Sequence, residues 1–196
     1  FQIILLALMG SNNSAREVIG ERSLLEKEKL AGLSVGAVLA AKAGFLSLLV
    51  LVQSAWMATF VNFFCRFPGS LGSQILILLL ANGAVTMSCL AISSWMRSTA
   101  QASLASIYLV GFQLPLSGAV LALPQWVQHV TRPFIASYWG WSGQLETCKA
   151  ERIYDIVLQV SRTELALYPV CLWALASHIA IGLFLSFGGM RRNTPF

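Results

Sequence analysis

REVIGERSLLEKEKLAGLS, residues 16–34, carries eight charged residues, in a 196-residue chain that has only 13 Lys and Arg and 8 Asp and Glu. Apolar sequence flanks it on both sides, FQIILLALMG (1–10) before it and a long run from Leu33 after it. The whole chain is 57% hydrophobic and 11% charged, with a mean hydropathy of +0.71. A soluble domain carries about a quarter charged residues. The apolar residues also sit in blocks near or above the ~18 to 20 needed to span a hydrocarbon core. These features predict an all-α, polytopic membrane helical bundle, with residues 16–34 as a charged connection at one membrane face.

The spans follow from the apolar blocks. Ten residues at the start rise only about 15 Å as a helix. The first segment therefore reads as the second half of a spanning helix and the sequence as a fragment of a longer polypeptide. No basic leader or small-residue cleavage site marks it as a signal peptide. Four fuller spans are expected at about Leu33–Phe64, Ser73–Met96, Ala102–Leu123 and Leu165–Phe187. Between the last two lies a region rich in Trp and Tyr, residues 124–164. There are no repeats and no low-complexity tract.

A net charge of +5 could suggest nucleic acid, but the basic residues flank apolar segments and form no basic–aromatic face. Orientation in the bilayer is the better use of that charge. Placing residues 11–32 in the cytoplasm puts Arg16, Arg22, Lys27, Lys29, Lys42, Arg97, Arg191 and Arg192 on that side. Arg66, Arg132, Lys149, Arg152 and Arg162 then lie outside, so the C-terminus is cytoplasmic too. Lys42 at mid-membrane would cost about 2.5–3.5 kcal/mol. Its helix is therefore expected to project into the cytoplasm, with Lys42 snorkelling to the headgroups. Gly36, Ala40 and Gly44 recur every four residues, as a close helix contact or as plain apolar filler. Cys89 and Cys171 fall in apolar runs; Cys65 and Cys148 share one membrane side, which permits a disulfide without requiring one.

Within the charged stretch, Gly20 interrupts helical propensity. Two pieces are expected: a continuation of the first helix to Gly20, then a short helix over about Arg22–Ala31. Leu24 and Leu25 would anchor it while its charges face a partner. A solvated loop that only sets topology remains the other reading.

The residue order adds to this. Glu21-Arg22-x-Leu24-x-x-Lys27-Glu28-Lys29-x-Ala31-Gly32 resembles the E-R-x-L-x-x-(R/K)-E-(R/K)-x-A-G pattern of ABC transporter permeases of the G-subfamily, type-2 exporter kind. The resemblance implies a coupling helix in the loop of about 15–32, docking on an ATP-binding cassette domain through Glu21, Arg22, Leu24, Lys27, Glu28 and Lys29. Lys42 matches a polar position that the family often has. Gly118…Pro124-x-Trp126…Pro133 is similar to the family's re-entrant external segment, though shorter between its prolines. One permease domain over 1–196 is implied, pairing with a second such domain. ATP and Mg belong to the partner ATPase domain, because this chain has no G-x-x-x-x-G-K-[ST] loop. The family's first transmembrane helix is also missing. The implied function is alternating-access export of an apolar or amphipathic substrate, in a bacterial plasma membrane. The alternative is a non-transporting scaffold subunit whose charged loop is an assembly contact.

Few polar residues fall inside the spans. Gln53, Asn82 and Gln113 are candidates for a substrate path, and Asn62 and His178 accompany them; each could instead bond a neighbouring helix. No carboxylate lies in the four fuller spans, which argues against proton-driven transport. Trp126, Tyr138, Trp139 and Trp141 read as an interfacial aromatic belt. Ser117-Gly118 with His178 is faintly similar to rhomboid proteases, but Pro115 stands where that family needs Gly. His129 has no partner at metal-ligand spacing, and no metal site is expected.

Overall fold

The computed structural model describes residues 2–65, 69–119, 124–149, 152–161 and 163–192, apart from the side chains of Lys29, Gln125, Arg152, Ile153 and Val160. Phe1, Arg66 and Arg162 lie outside the described residues, and the span expected over Ala102–Leu123 is instead a helix that starts at Thr99 and stops at Leu116. All regular structure among the described residues is helical. The elements are α1 (Gln2–Ser14), α2 (Arg22–Leu30), α3 (Val35–Cys65), α4 (Leu71–Trp95), α5 (Thr99–Leu116), α6 (Gln125–Thr131), α7 (Ala136–Glu146), α8 (Arg152–Ser161) and α9 (Tyr168–Arg192). Two 3₁₀ turns, Ile19–Glu21 and Arg132–Phe134, lead into α2 and α7.

The bundle is built around α4. Its run from Ala81 to Ala91 is rich in small residues and almost wholly buried, so neighbours can pack on every side. α9 makes the most extensive contact, and α1, α3, α5 and α7 complete the ring. Close approach depends on glycine: a Cβ on Gly182 of α9 would lie 2.9 Å from the backbone carbon of Met87. On α1, a Cβ at Gly10 would collide with Thr86 Oγ1 of α4. By contrast, a Cβ on Gly36 or Gly44 of α3 would meet nothing within 4 Å among the described residues, so these two glycines serve no close helix contact there.

α3 shows why three helices suit a bilayer. Its inward stripe is Leu39, Lys42, Leu46, Val50, Ser54 and Ala58, one interval of three followed by four of four. The opposite face exposes Phe45, Leu48, Val52, Trp56 and Phe63, which in water would be a large unpartnered apolar surface. α3, α4 and α9 are each long and apolar enough to cross a membrane. α5, with 18 residues, rises about 27 Å and ends just after Pro115. The chain leaves it through Gly118, whose φ of +72° favours glycine.

α1 ends at Ser14 rather than running on to Gly20. The freed backbone finds another partner: Ser93 Oγ of α4 accepts from the N–H groups of both Val18 and Ile19, at 3.2 and 3.3 Å. A long-range acceptor thus fixes the break. All four cysteines are free thiols, Cys65 exposed and Cys148 buried.

Candidate functional site

The elbow between α1 and α3 is held at one end of the bundle by contacts to three other helices. Glu17 lies in the turn after α1 and Glu21 at the end of the 3₁₀ turn, and both carboxylates reach one cation. Lys42 Nζ lies between them, 3.1 Å from Glu17 Oε1 and 2.7 Å from Glu21 Oε2. The Lys42 side chain is 10% exposed, against 25% for Glu17 and 51% for Glu21. The cation that was expected to reach the headgroups by itself is thus met by a carboxylate pair from its own chain, which offsets the cost of its burial.

Two arginines add to the clamp. Arg16 Nε donates to Ser103 Oγ on α5 at 2.9 Å. Arg22 Nη2 donates to the Met96 carbonyl at 3.2 Å, placing a cation at the C-terminal end of α4 where the helix dipole favours it. Leu25 is buried in a cluster with Val18, Leu39, Leu46 and Met190.

The six sequence-predicted coupling residues therefore divide. Glu21 and Arg22 turn towards the bundle, and Leu25 is the anchoring leucine. Leu24, expected as a second anchor, is instead 50% exposed, and Leu30 is 90% exposed. Lys27 and Glu26 are exposed and Glu28 is half-buried. Lys29 lies in α2, with its side chain outside the described residues. The outcome is a short helix with a pinned inner face and an outer face of leucine and charge. Sequence reasoning missed Glu17, Ser93 and Ser103; only the four-residue spacing of Glu17 and Glu21 hinted at a shared cation.

The opposite end holds the segment that the sequence led us to expect outside. Pro124 precedes α6, Trp126 is exposed, and Pro133 sits in the 3₁₀ turn before α7. α7 runs back along the first third of α4, where Gly140 meets Ala81 and Gly143 meets Ile77. Eleven residues rise about 16 Å, half a bilayer. Gln113 Oε1 of α5 accepts from the Ser137 N–H at 2.9 Å, capping the start of α7. Residues 163–167 have no helix, and α7 bonds the backbone of two of them. Ser142 Oγ accepts from Ala166 N at 2.6 Å, and Tyr138 donates to the Glu164 carbonyl at 2.9 Å. Burial raises the Tyr138 phenol above its usual range, opposed by the Arg132 guanidinium, so it remains a neutral donor.

Two of the three polar span residues meet, and the third stands apart from them. Asn82 Nδ2 donates to Gln53 Oε1 at 3.3 Å and to Ser54 Oγ at 3.4 Å, while Gln113 is spent on α7. None of Gln53, Asn82 and Gln113 is among the described residues lining two cavities of about 430 and 510 Å³. Ser117 and His178 line different cavities, and each bonds a carbonyl of its own helix, so they form no catalytic pair.

Residues 1–139 match a family model described as ABC-2 type transporter, which covers the elbow, α3 to α6 and the start of α7. No match was found among curated proteins. The match takes in well over half of the chain, and three apolar helices of spanning length agree with a membrane domain. This integral membrane protein belongs to the ABC-2 type transporter family, as the permease part of an ABC transporter.

Proposed function

We propose that this permease works in an ATP-driven exporter, with α2 as the helix that an ATP-binding cassette domain presses. One observation carries the reading: α2 is pinned on its inner side while its outer side stays uncovered. Lys42, Met96 and Ser103 tie the elbow to α3, to the end of α4 and to α5, so a push on α2 reaches three helices together. Leu24, Lys27 and Leu30 offer apolar anchorage and charge-set register to a partner. Single exposed ion pairs contribute only about 0–1 kcal/mol, so the force travels through the clamp and the charges choose the register.

In this reading ATP and Mg are held by the ATPase domain, and two permease domains form the pathway. Residues 11–32 and the C-terminus face the cytoplasm of a bacterial cell. The substrate is apolar or amphipathic, matching spans that hold no carboxylate. Gln53 is only half-buried and is the residue assigned to the path; Asn82 and Gln113 hold the bundle.

Purification of the native complex in mild detergent, with mass spectrometric identification of every chain, tests this. A phosphate-binding loop on this polypeptide or on an equimolar partner is the expected result. Other integral subunits with no ATPase would overturn it and leave α2 as an assembly contact in a scaffold.

A further inference from the structure

We propose that the cavity between α1, α5, α7 and α8 binds a neutral lipid alcohol, its hydroxyl held by Ser137 and Ser161. The cavity measures about 510 Å³, within the range of small-molecule sites, and its described lining carries no charged residue. Ile3, Leu114, Trp141 and Val157 supply apolar walls from all four helices.

Two serines break that apolar surface. Ser137 is 2% exposed and Ser161 is 8% exposed, and the hydroxyl of neither has a hydrogen-bond partner among the described residues. Ser137 is the second residue of α7, too early in the helix to bond back onto a carbonyl of its own turn. Its backbone N–H is taken by Gln113, which leaves the hydroxyl alone uncommitted. Ser161 is the last residue of α8 and lines the same cavity. Ser117 also lines the cavity, but its hydroxyl already donates to the Leu114 carbonyl at 2.7 Å.

Buried hydroxyls without partners are uncommon, and two on one cavity mark where a ligand's polar end belongs. Each serine both donates and accepts, so the matching group is one that does the same. An ion would find no counter-charge there. Water would find apolar walls and too few partners to fill the volume. A long-chain or polycyclic alcohol matches both the walls and the hydroxyls. The inference concerns occupancy alone; binding needs no ATPase, so its failure would leave the export reading standing.

The test uses the full transporter in nanodiscs with a diazirine-bearing hexadecanol as photoprobe, mapped by peptide mass spectrometry. Saturable labelling within 136–146 and 152–161 is expected, displaced by hexadecanol and not by hexadecane. Ser137→Ala with Ser161→Ala removes only uncommitted hydroxyls. The double variant should keep its ligand-free melting temperature while losing at least about fivefold in hexadecanol affinity. Val157→Trp, which fills the cavity, should abolish the saturable labelling. Equal displacement by hexadecane, unchanged affinity in the double serine variant, or unchanged labelling in Val157→Trp would each overturn the proposal.

Discussion

The two ends of this bundle solve one problem by different chemistry. Each must hold a stretch of chain that departs from a spanning helix. At the elbow the means are ionic: Lys42 between Glu17 and Glu21, Arg22 on Met96, Arg16 on Ser103. At the α7 end they are steric and neutral: Gly140 and Gly143 against α4, Gln113 capping α7, Ser142 on Ala166. Ionic contacts tolerate small displacements, because their energy changes slowly with distance. Glycine contacts do not, because an added methylene meets a filled space. The elbow is thus suited to transmit a push, and the α7 end to act as a fixed wall.

The largest expected effect lies at the wall. A Cβ on Gly143 would stand 2.5 Å from Ile77 Cδ1 and 3.2 Å from Cys171 Cβ, two neighbours that are themselves fully buried. Gly143→Val should destabilise by about 3 kcal/mol, the upper part of the range for overpacking. Detergent-solubilised protein would show it as lost monodispersity and early thermal aggregation. A fully stable variant would mean that α7 can shift, and the contrast between the two ends would disappear.

Lys42 comes next. Lys42→Met leaves two carboxylates without their cation. The cost should be about 1–3 kcal/mol, less than for a fully buried pair because Glu21 keeps half its exposure. Adding Glu17→Gln and Glu21→Gln should recover most of that loss, since no buried charge then lacks a partner. If the clamp also transmits force, the triple variant should still bind its ATPase but hydrolyse ATP without matching transport. Stability and transport recovering together would reduce the clamp to a purely structural role.

The contrast also explains what the sequence could show. Apolar run lengths placed α3, α4 and α9 within a few residues, and the charge pattern placed α2 over 22–30 against an expected 22–31. These are local properties of period and composition. The end of α1 at Ser14 was not legible, because its cause is the hydroxyl of Ser93, more than seventy residues away. The partners of Lys42 were hidden for the same reason: they lie 25 and 21 residues back along the chain. The helices inside 124–164 were hidden by short length, and the wall they form depends on glycines whose neighbours are set only by the fold.

Gln113 tests the neutral end by a smaller step. Gln113→Leu keeps volume but removes the acceptor of the Ser137 N–H, leaving a buried donor at the start of α7. A loss of about 1–2 kcal/mol is expected, as for a lost helix cap. Hydrogen exchange should report it at residues 136–139 and leave the elbow unchanged. Faster exchange at 15–22 would show that the two ends are coupled, not independent.

The smallest effect on stability should accompany a large one on function. Leu24 is half-exposed and Lys27 is exposed, and the contacts that pin the elbow do not use them. Leu24→Ala with Lys27→Glu should therefore change stability by no more than about 0.5 kcal/mol. The same double variant should release the ATP-binding cassette domain in a pull-down, because anchorage and register are removed together. Lys42→Met gives the opposite pattern, a less stable permease that keeps its partner. If both variants lose the partner to the same extent, the inner and outer faces of α2 are one interface. Docking would then depend on the shape of the whole elbow, and the pinned side could not be treated as a transmission device separate from the contact it serves.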